Sequence, residues 1–132
     1  MTVHVRLLPN SDLPLFAQIV RQFRQAMAEG RLRPGDQLPT VRDLAVELLV
    51  NPNTVAKAYQ ELEKAGSIVA RRGAGTFVAD GASPLAPAEK ERIVTEKIEA
   101  CLTEAVHLDL PRKFVLRLFT ERMDRFKWGN GS

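Results

Sequence analysis

Between Pro14 and Glu29 the apolar residues Leu15, Phe16, Ile19, Val20, Phe23, Ala26 and Met27 keep a 3.6-residue period, and Gly30 follows. The pattern predicts an amphipathic scaffold helix with a glycine stop. A second helical stripe, Val41, Leu44, Ala45 and Leu48, opens at Thr40, which stands as N-cap with Asp43 at the capping-box position. A third, Val55, Ala58, Tyr59 and Leu62, opens at Asn51-Pro52, a capping amide followed by a proline where no donor is needed, and closes at Gly66. The period then shortens. Ile68-Val69-Ala70 and Thr76-Phe77-Val78 are strand-forming runs around Arg71-Arg72-Gly73-Ala74-Gly75, and Gln37-Leu38 offers one more short strand to the same sheet. Upstream, residues 3–7 alternate weakly, which predicts a strand or an arm, and Asn10-Ser11-Asp12 reads as a turn or cap cluster.

Beyond residue 80 the composition changes to Gly81-Ala82-Ser83-Pro84-Leu85-Ala86-Pro87, a linker of small residues and proline. Two further helices are predicted after it. One carries Ile93 or Val94, Ile98, Cys101, Leu102, Ala105 and Val106; the other starts near Pro111 and carries Val115, Leu118, Phe119, Met123 and Phe126. Two helices of about forty residues cannot enclose a core alone. They must pack on the same chain's scaffold helix or on a second copy of the protein, and the length of the stripes favours the copy, so Val94, Ile98, Cys101, Ala105, Val115, Phe119, Met123 and Phe126 are expected to form a homodimer interface. The predicted organisation is a winged helix-turn-helix over residues 1–80, a linker over 81–87 and a helical dimerisation region over 88–128, mainly α with a small β wing.

The polar positions carry the functional reading. The third helix turns Asn53, Thr54, Lys57 and Gln60 away from its apolar stripe, a short, polar, acid-free set, while Glu61 and Glu63 fall late in the helix. Two helices joined by so short a turn meet steeply, and the second can enter a DNA major groove with its N-terminal residues against base edges. Asn and Gln read adenine there, whereas Lys reads guanine or binds phosphate. A glycine-containing hairpin tip with two arginines suits a groove or a phosphate row. The expected DNA-binding set is Thr40, Arg42, Asn51, Asn53, Thr54, Lys57, Arg71, Arg72 and Gly73.

Bulk charge adds little to this. The net charge of +3 is spread evenly, with +1 in each of residues 1–29, 30–81 and 82–132, so the position of the cations makes the case for DNA. The single cysteine, Cys101, excludes an internal disulfide and a cysteine-clustered zinc site, and at a helical apolar position it reads as core. His4 and His107 each stand alone, so no metal or other cofactor is expected; His107 fits a helix C-terminal cap better. No apolar run approaches the roughly 20 residues of a membrane span and no secretion signal opens the chain, which predicts a cytoplasmic protein without membrane contact. At 132 residues there is no room for a second catalytic domain, and no nucleophile has a base nearby, so the chain does not read as an enzyme.

The order PGDQLPTVRDLA, VNPNTVAKAYQELEKAGSIV and RGAGTFV resembles the GntR family of bacterial transcription regulators, and the NPNTV-x-KAY variant resembles its YtrA-like subfamily, over about half of the chain from Pro14 to Val78. The resemblance implies a sequence-specific regulator, a repressor acting on an inverted repeat, with a short all-helical C-terminal region. It also implies a transport operon as target and a small-molecule effector. Arg42, Asn53, Thr54 and Gly73 match the family's DNA-contacting positions, and Lys57 stands one residue away from the usual basic one. Pro52 and Ala56 replace arginines common in the family, so those contacts do not carry over. Leu49 and Asp109 replace glycines at turns. A leucine with positive φ is costly, which predicts a rebuilt turn or a longer second helix.

Overall fold

The computed structural model describes residues 4–80 and 85–128. The elements run α1 (Leu15–Ala28), α2 (Val41–Leu48), α3 (Pro52–Lys64), β1 (Ile68–Arg71), β2 (Gly75–Val78), α4 (Pro87–His107) and α5 (Arg112–Met123). This is the mainly α fold with a small β wing that the periodicities predict. Contacts divide the described residues into two units, 4–80 with 127–128, and 85–126. Of the expected linker, residues 81–84 lie outside the described residues, as does residue 3 of the expected arm, and Pro87 is already the first residue of α4.

The first unit has one apolar core. Ile19, Phe23 and Ala26 of α1, Leu44 and Ala45 of α2, and Val55, Ala58, Tyr59 and Leu62 of α3 are buried together, so the three inward stripes meet. The wing joins this core only at its base, where the paired residues Ile68 and Val78 are buried. β1 and β2 are antiparallel, with Arg71 opposite Gly75 at the far end. The expected extra strand at Gln37-Leu38 is reduced to a single antiparallel bridge from Gln37 to Phe77, flanked by Leu38 N–H to the Thr76 carbonyl and Val78 N–H to the Asp36 carbonyl, both 2.8 Å.

The N-terminal segment is an arm and not a strand. Its alternation is real, with Val5 and Leu7 half-buried against the core and His4 and Arg6 exposed, but its backbone partners are side chains of α1. The Gln22 amide accepts from Arg6 N–H at 2.8 Å and donates to the Arg6 carbonyl at 2.7 Å. Gln18, buried to 6% exposure, does the same for Leu8 at 2.8 and 2.9 Å and also donates to the Leu13 carbonyl. A primary amide offers the same donor and acceptor as a peptide group, so two glutamines replace a strand neighbour. Ser11 accepts from Leu13 N–H, a local turn, and α1 begins after Pro14 without a side-chain cap.

In the second unit the periodicity places the helices well and their surroundings less so. Ala105 is buried, Val115, Phe119 and Phe126 are half-buried, and Val94, Ile98, Cys101 and Met123 are exposed. Cys101 is thus not a core residue: its side chain is exposed among the described residues, as are those of Val94 and Ile98 on the same helix. α5 ends at Met123, and Phe126 follows in a turn closed by its N–H on the Met123 carbonyl. Lys127 belongs with the first unit, where its N–H donates to the Ala28 carbonyl at 2.7 Å. The Nδ1 of His107 lies 2.9 Å from the Thr103 carbonyl, one turn back within α4. No helix among the described residues is long and apolar enough to cross a membrane.

Four helices end the same way. After α1, α2, α3 and α4 a residue in the left-handed region lets its own N–H and the next one reach back to carbonyls of the last turn. The left-handed residues are Gly30, Leu49, Gly66 and Asp109, and the longer return bonds are Arg31 to Ala26, Val50 to Ala45, Ser67 to Leu62 and Leu110 to Ala105, at 2.8 to 3.0 Å. The turn at Leu49 is therefore neither rebuilt nor absorbed into α2; Leu49 itself takes φ 58° and ψ 46°, with its side chain 89% exposed. Left-handed geometry costs a side-chain-bearing residue about 1–2 kcal/mol, against about 0.4–1 kcal/mol for the extra unfolded-state freedom of glycine. Leu49→Gly should consequently raise stability by about 0.5 to 1 kcal/mol, while Leu49→Val should lower it. Urea unfolding measures both; a glycine variant less stable than the wild type would show that the leucine is not strained.

Candidate nucleic-acid interface

α3 is held by one face and presented by the other. Asn51 Oδ1 accepts from Asn53 N–H at 2.8 Å, closing the N-terminus, and Pro52 fills the first helical position. Tyr59 fixes the helix's rotation. Its ring packs 6.0 Å from that of Phe23, and its hydroxyl donates to the Pro39 carbonyl at 2.7 Å, tying α3 to the loop that leads into α2. With Val55, Ala58, Tyr59 and Leu62 turned inward, Asn53, Lys57 and Gln60 are exposed and Thr54 is half-buried. No acid interrupts this face before Glu61.

At the start of α2, Thr40 Oγ1 accepts from Asp43 N–H at 3.1 Å, and the Arg42 side chain is exposed. Thr40 and Asn51 thus spend their acceptors on caps, while the hydroxyl proton and the amide NH2 remain available as donors. At the wing, Arg71, Arg72 and Gly73 are all exposed around a turn closed by Ala74 N–H on the Arg71 carbonyl. None of Arg42, Lys57, Arg71 and Arg72 is ion-paired with an acid among the described residues. Arg92 on α4 is the contrast. Glu89 and then Glu96 raise its pKa further, and Arg92 in turn holds the Glu89 carboxyl below its ordinary range. A cation without a carboxylate keeps its charge for another anion, and a phosphate row supplies one.

All nine expected residues lie in the first unit, at two helix starts, one helix face and one hairpin tip. Two contacts were hidden from the sequence. The Lys57 ammonium lies 4.1 Å from the centre of the Phe16 ring of α1, and the Arg71 guanidinium 4.9 Å from that of Phe77. Each aromatic steadies a cation that periodicity shows only as outward-facing. Among the described residues no cluster of three or more histidine, cysteine or acidic side chains is arranged to hold a metal.

The family pattern for bacterial regulatory proteins of the gntR family matches residues 15–78, which is α1 through β2. The HTH-type transcriptional repressor YtrA of Bacillus subtilis (strain 168) is 37% identical over 101 residues, covering 76% of this chain and 78% of that protein. The chain belongs to the GntR family. Like other GntR proteins it is a DNA-binding transcription regulator, and its relatives are regulators, not enzymes. Among solved structures it is similar to a transcriptional antiterminator from Listeria monocytogenes EGD-e, with a TM-score of 0.79 and 30% identity over 96% of each chain. It is also similar to the DNA-binding domain of AraR in complex with operator ORX1, at a TM-score of 0.50 and 30% identity over 56% of this chain and 92% of that one.

The Tyr59 anchor of this GntR domain is open to test. Tyr59→Phe removes the donor to Pro39 and should cost about 1 kcal/mol of stability near neutral pH. Burial, and then the charge of Glu47, push the phenol's pKa well above its ordinary value. The folded chain therefore keeps this proton after the unfolded chain begins to lose its own, so the contribution is complete below about pH 10 and fades as pH rises beyond it. Tyr59 is the only tyrosine, so no other phenol contributes. Urea titrations of both proteins on either side of about pH 10 should show the wild type's advantage shrinking on the alkaline side; a constant difference would mean that the phenol is not held in its protonated form.

Proposed function

We propose that this GntR protein acts as a homodimeric repressor that binds an inverted-repeat operator of a transport operon. The observation that carries the dimer is the apolar surface of the second unit. α4 and α5 hold a single buried residue, Ala105, between them, while Val94, Ile98, Leu102 and Met123 stand exposed and Phe119 and Val115 are half-covered. A contiguous apolar face of this kind is covered in solution, and a second copy offers the same face under two-fold symmetry. Val94, Ile98, Cys101, Ala105, Val115, Phe119, Met123 and Phe126 are the residues assigned to it. Two-fold pairing would set the recognition helices roughly 34 Å apart or a multiple of that, which requires a pseudo-palindromic site. Repression is the role named for the similar YtrA of Bacillus subtilis, and the transport operon and a small-molecule effector rest on the subfamily resemblance.

On the DNA, Asn53 and Lys57 read base edges with Thr54 beside them. Thr40, Arg42, Asn51, Arg71, Arg72 and the backbone at Gly73 position the protein on the phosphates and grooves. What supports this division is placement, since the first group lies on the exposed first turns of α3 and the second at caps and at the wing tip.

Operator selection from random DNA supplies the site. On it, Asn53→Ala should cost about 1–3 kcal/mol while leaving binding to random DNA unchanged, and Arg72→Ala should weaken both alike and reduce the salt slope by about one. Equal losses on both DNAs for Asn53→Ala would move that residue to the backbone-contacting set. For assembly, Phe119→Glu should give a monomer in sedimentation that keeps a folded first unit but loses most affinity for the selected site, because two linked half-sites gain from effective concentration. A wild-type chain that is monomeric at micromolar concentration, or a Phe119→Glu variant that stays dimeric and binds normally, would overturn the dimer.

A further inference from the structure

We infer that Gln37 is a positioning residue for DNA binding, a latch that holds the arginine-bearing wing tip to the loop in front of α2; the inference rests on the reading of the wing as a phosphate-contacting element. The Gln37 side-chain amide donates to the Ala74 carbonyl at 3.0 Å, across 37 positions of sequence, and Ala74 is the residue that closes the turn containing Arg72 and Gly73. The backbone of the same residue bridges Phe77, whose ring lies beneath the Arg71 guanidinium. One residue therefore touches the wing at both places that orient its arginines.

The tip has little else to hold it. β1 and β2 pair over four residues each and only their base is buried; past the Leu38 N–H bond to the Thr76 carbonyl, the tip from Arg71 to Gly75 is a short hairpin end of marginal stability. Gln37 itself stands on firm ground, because Leu38 next to it is buried in the core and the Pro39 carbonyl takes the Tyr59 hydroxyl. The latch thus runs from the recognition helix through Tyr59 and Pro39 to the wing tip.

Gly75 is shaped to admit it. A Cβ at Gly75 would lie 2.6 Å from Gln37 Nε2, and φ there is +125°, so a side chain would displace the amide as well as strain the turn. The residue type at position 37 also fits the task. A neutral amide supplies the donor without adding a positive charge that repels, or a negative charge that pairs with, the neighbouring arginines. Ordering the tip before contact removes part of the entropic cost of engaging phosphate, and that is where the latch affects affinity.

The test is a double-mutant cycle read by DNA binding. Gln37→Ala and the pair Arg71→Ala with Arg72→Ala are made separately and together, and each protein is titrated with random and with selected duplex over a range of salt, beside thermal unfolding. Gln37→Ala should leave the unfolding temperature nearly unchanged, since the lost bond is exposed, and weaken binding to both duplexes about fivefold, the order expected of one hydrogen bond. The same substitution should have no effect once both arginines are gone. Gln37→Met, which keeps the bulk without the donor, repeats the measurement if the alanine variant unfolds early. A Gln37 effect of equal size with and without the arginines overturns the latch, as does full-strength binding by both Gln37 variants while the arginine pair is weakened. Should the arginine pair itself bind like the wild type, the phosphate-contacting wing is wrong and the latch falls with it, a result the arginine variants report without reference to Gln37.

Discussion

The rotation of α3 about its own axis is the constraint on which the DNA-binding face depends. A turn of the helix by one position, about 100°, would exchange Asn53 and Lys57 for the half-buried Thr54 and the buried Ala58. Three side chains resist it in different directions. Val55 and Leu62 are fully buried along the axis, and Tyr59 between them is pinned at its far end by the Pro39 carbonyl, so the helix is fixed by shape along its length and by one directional bond at its middle. The apolar contacts alone would tolerate some rolling, because dispersion and burial are not directional. The hydrogen bond is.

Much of this was written in the sequence because it depends on local rules. Caps at Thr40 and Asn51, proline at the first position of α3, stops at Gly30 and Gly66, and the change of period at Ile68 each involve residues within one turn of one another, and each is found in the fold. Leu49 escaped for an instructive reason. The rule that left-handed residues are glycines is energetic, worth about 1–2 kcal/mol, and a return bond from Val50 to Ala45 together with the burial of the helix pair outweighs it. Asp109 shows the same outcome at a smaller cost.

What the sequence hid is of two kinds. Periodicity says which side of a helix is apolar but not what covers it, so Cys101 reads as core although its side chain is exposed among the described residues. Polar tertiary contacts leave no periodic trace at all. Gln18, Gln22 and Gln37 look like solvated residues in the pattern, yet each uses its amide to bond a backbone segment far along the chain. The candidate site was legible as a set of outward residues and illegible in its supports, Phe16 under Lys57 and Phe77 under Arg71.

The choice of glutamine for these supports follows from what lies beside them. The domain must present Arg71 and Arg72 without neutralising them, and a carboxylate in the place of Gln37, which bonds the turn that carries them, would lie beside those charges. An amide binds backbone with one donor group and one acceptor and carries no charge. The acids that form ion pairs lie elsewhere, Glu89 and Glu96 around Arg92 on α4 and Glu29 beside Arg31 after α1, and Asp43, although it neighbours Arg42 in the first turn of α2, forms no ion pair with it. The exposed pairs around Arg92 contribute little to stability. Leaving Arg42, Lys57, Arg71 and Arg72 without ion pairs among the described residues therefore costs the fold almost nothing, and in a protein of net charge only +3 the position of these cations matters more than their number.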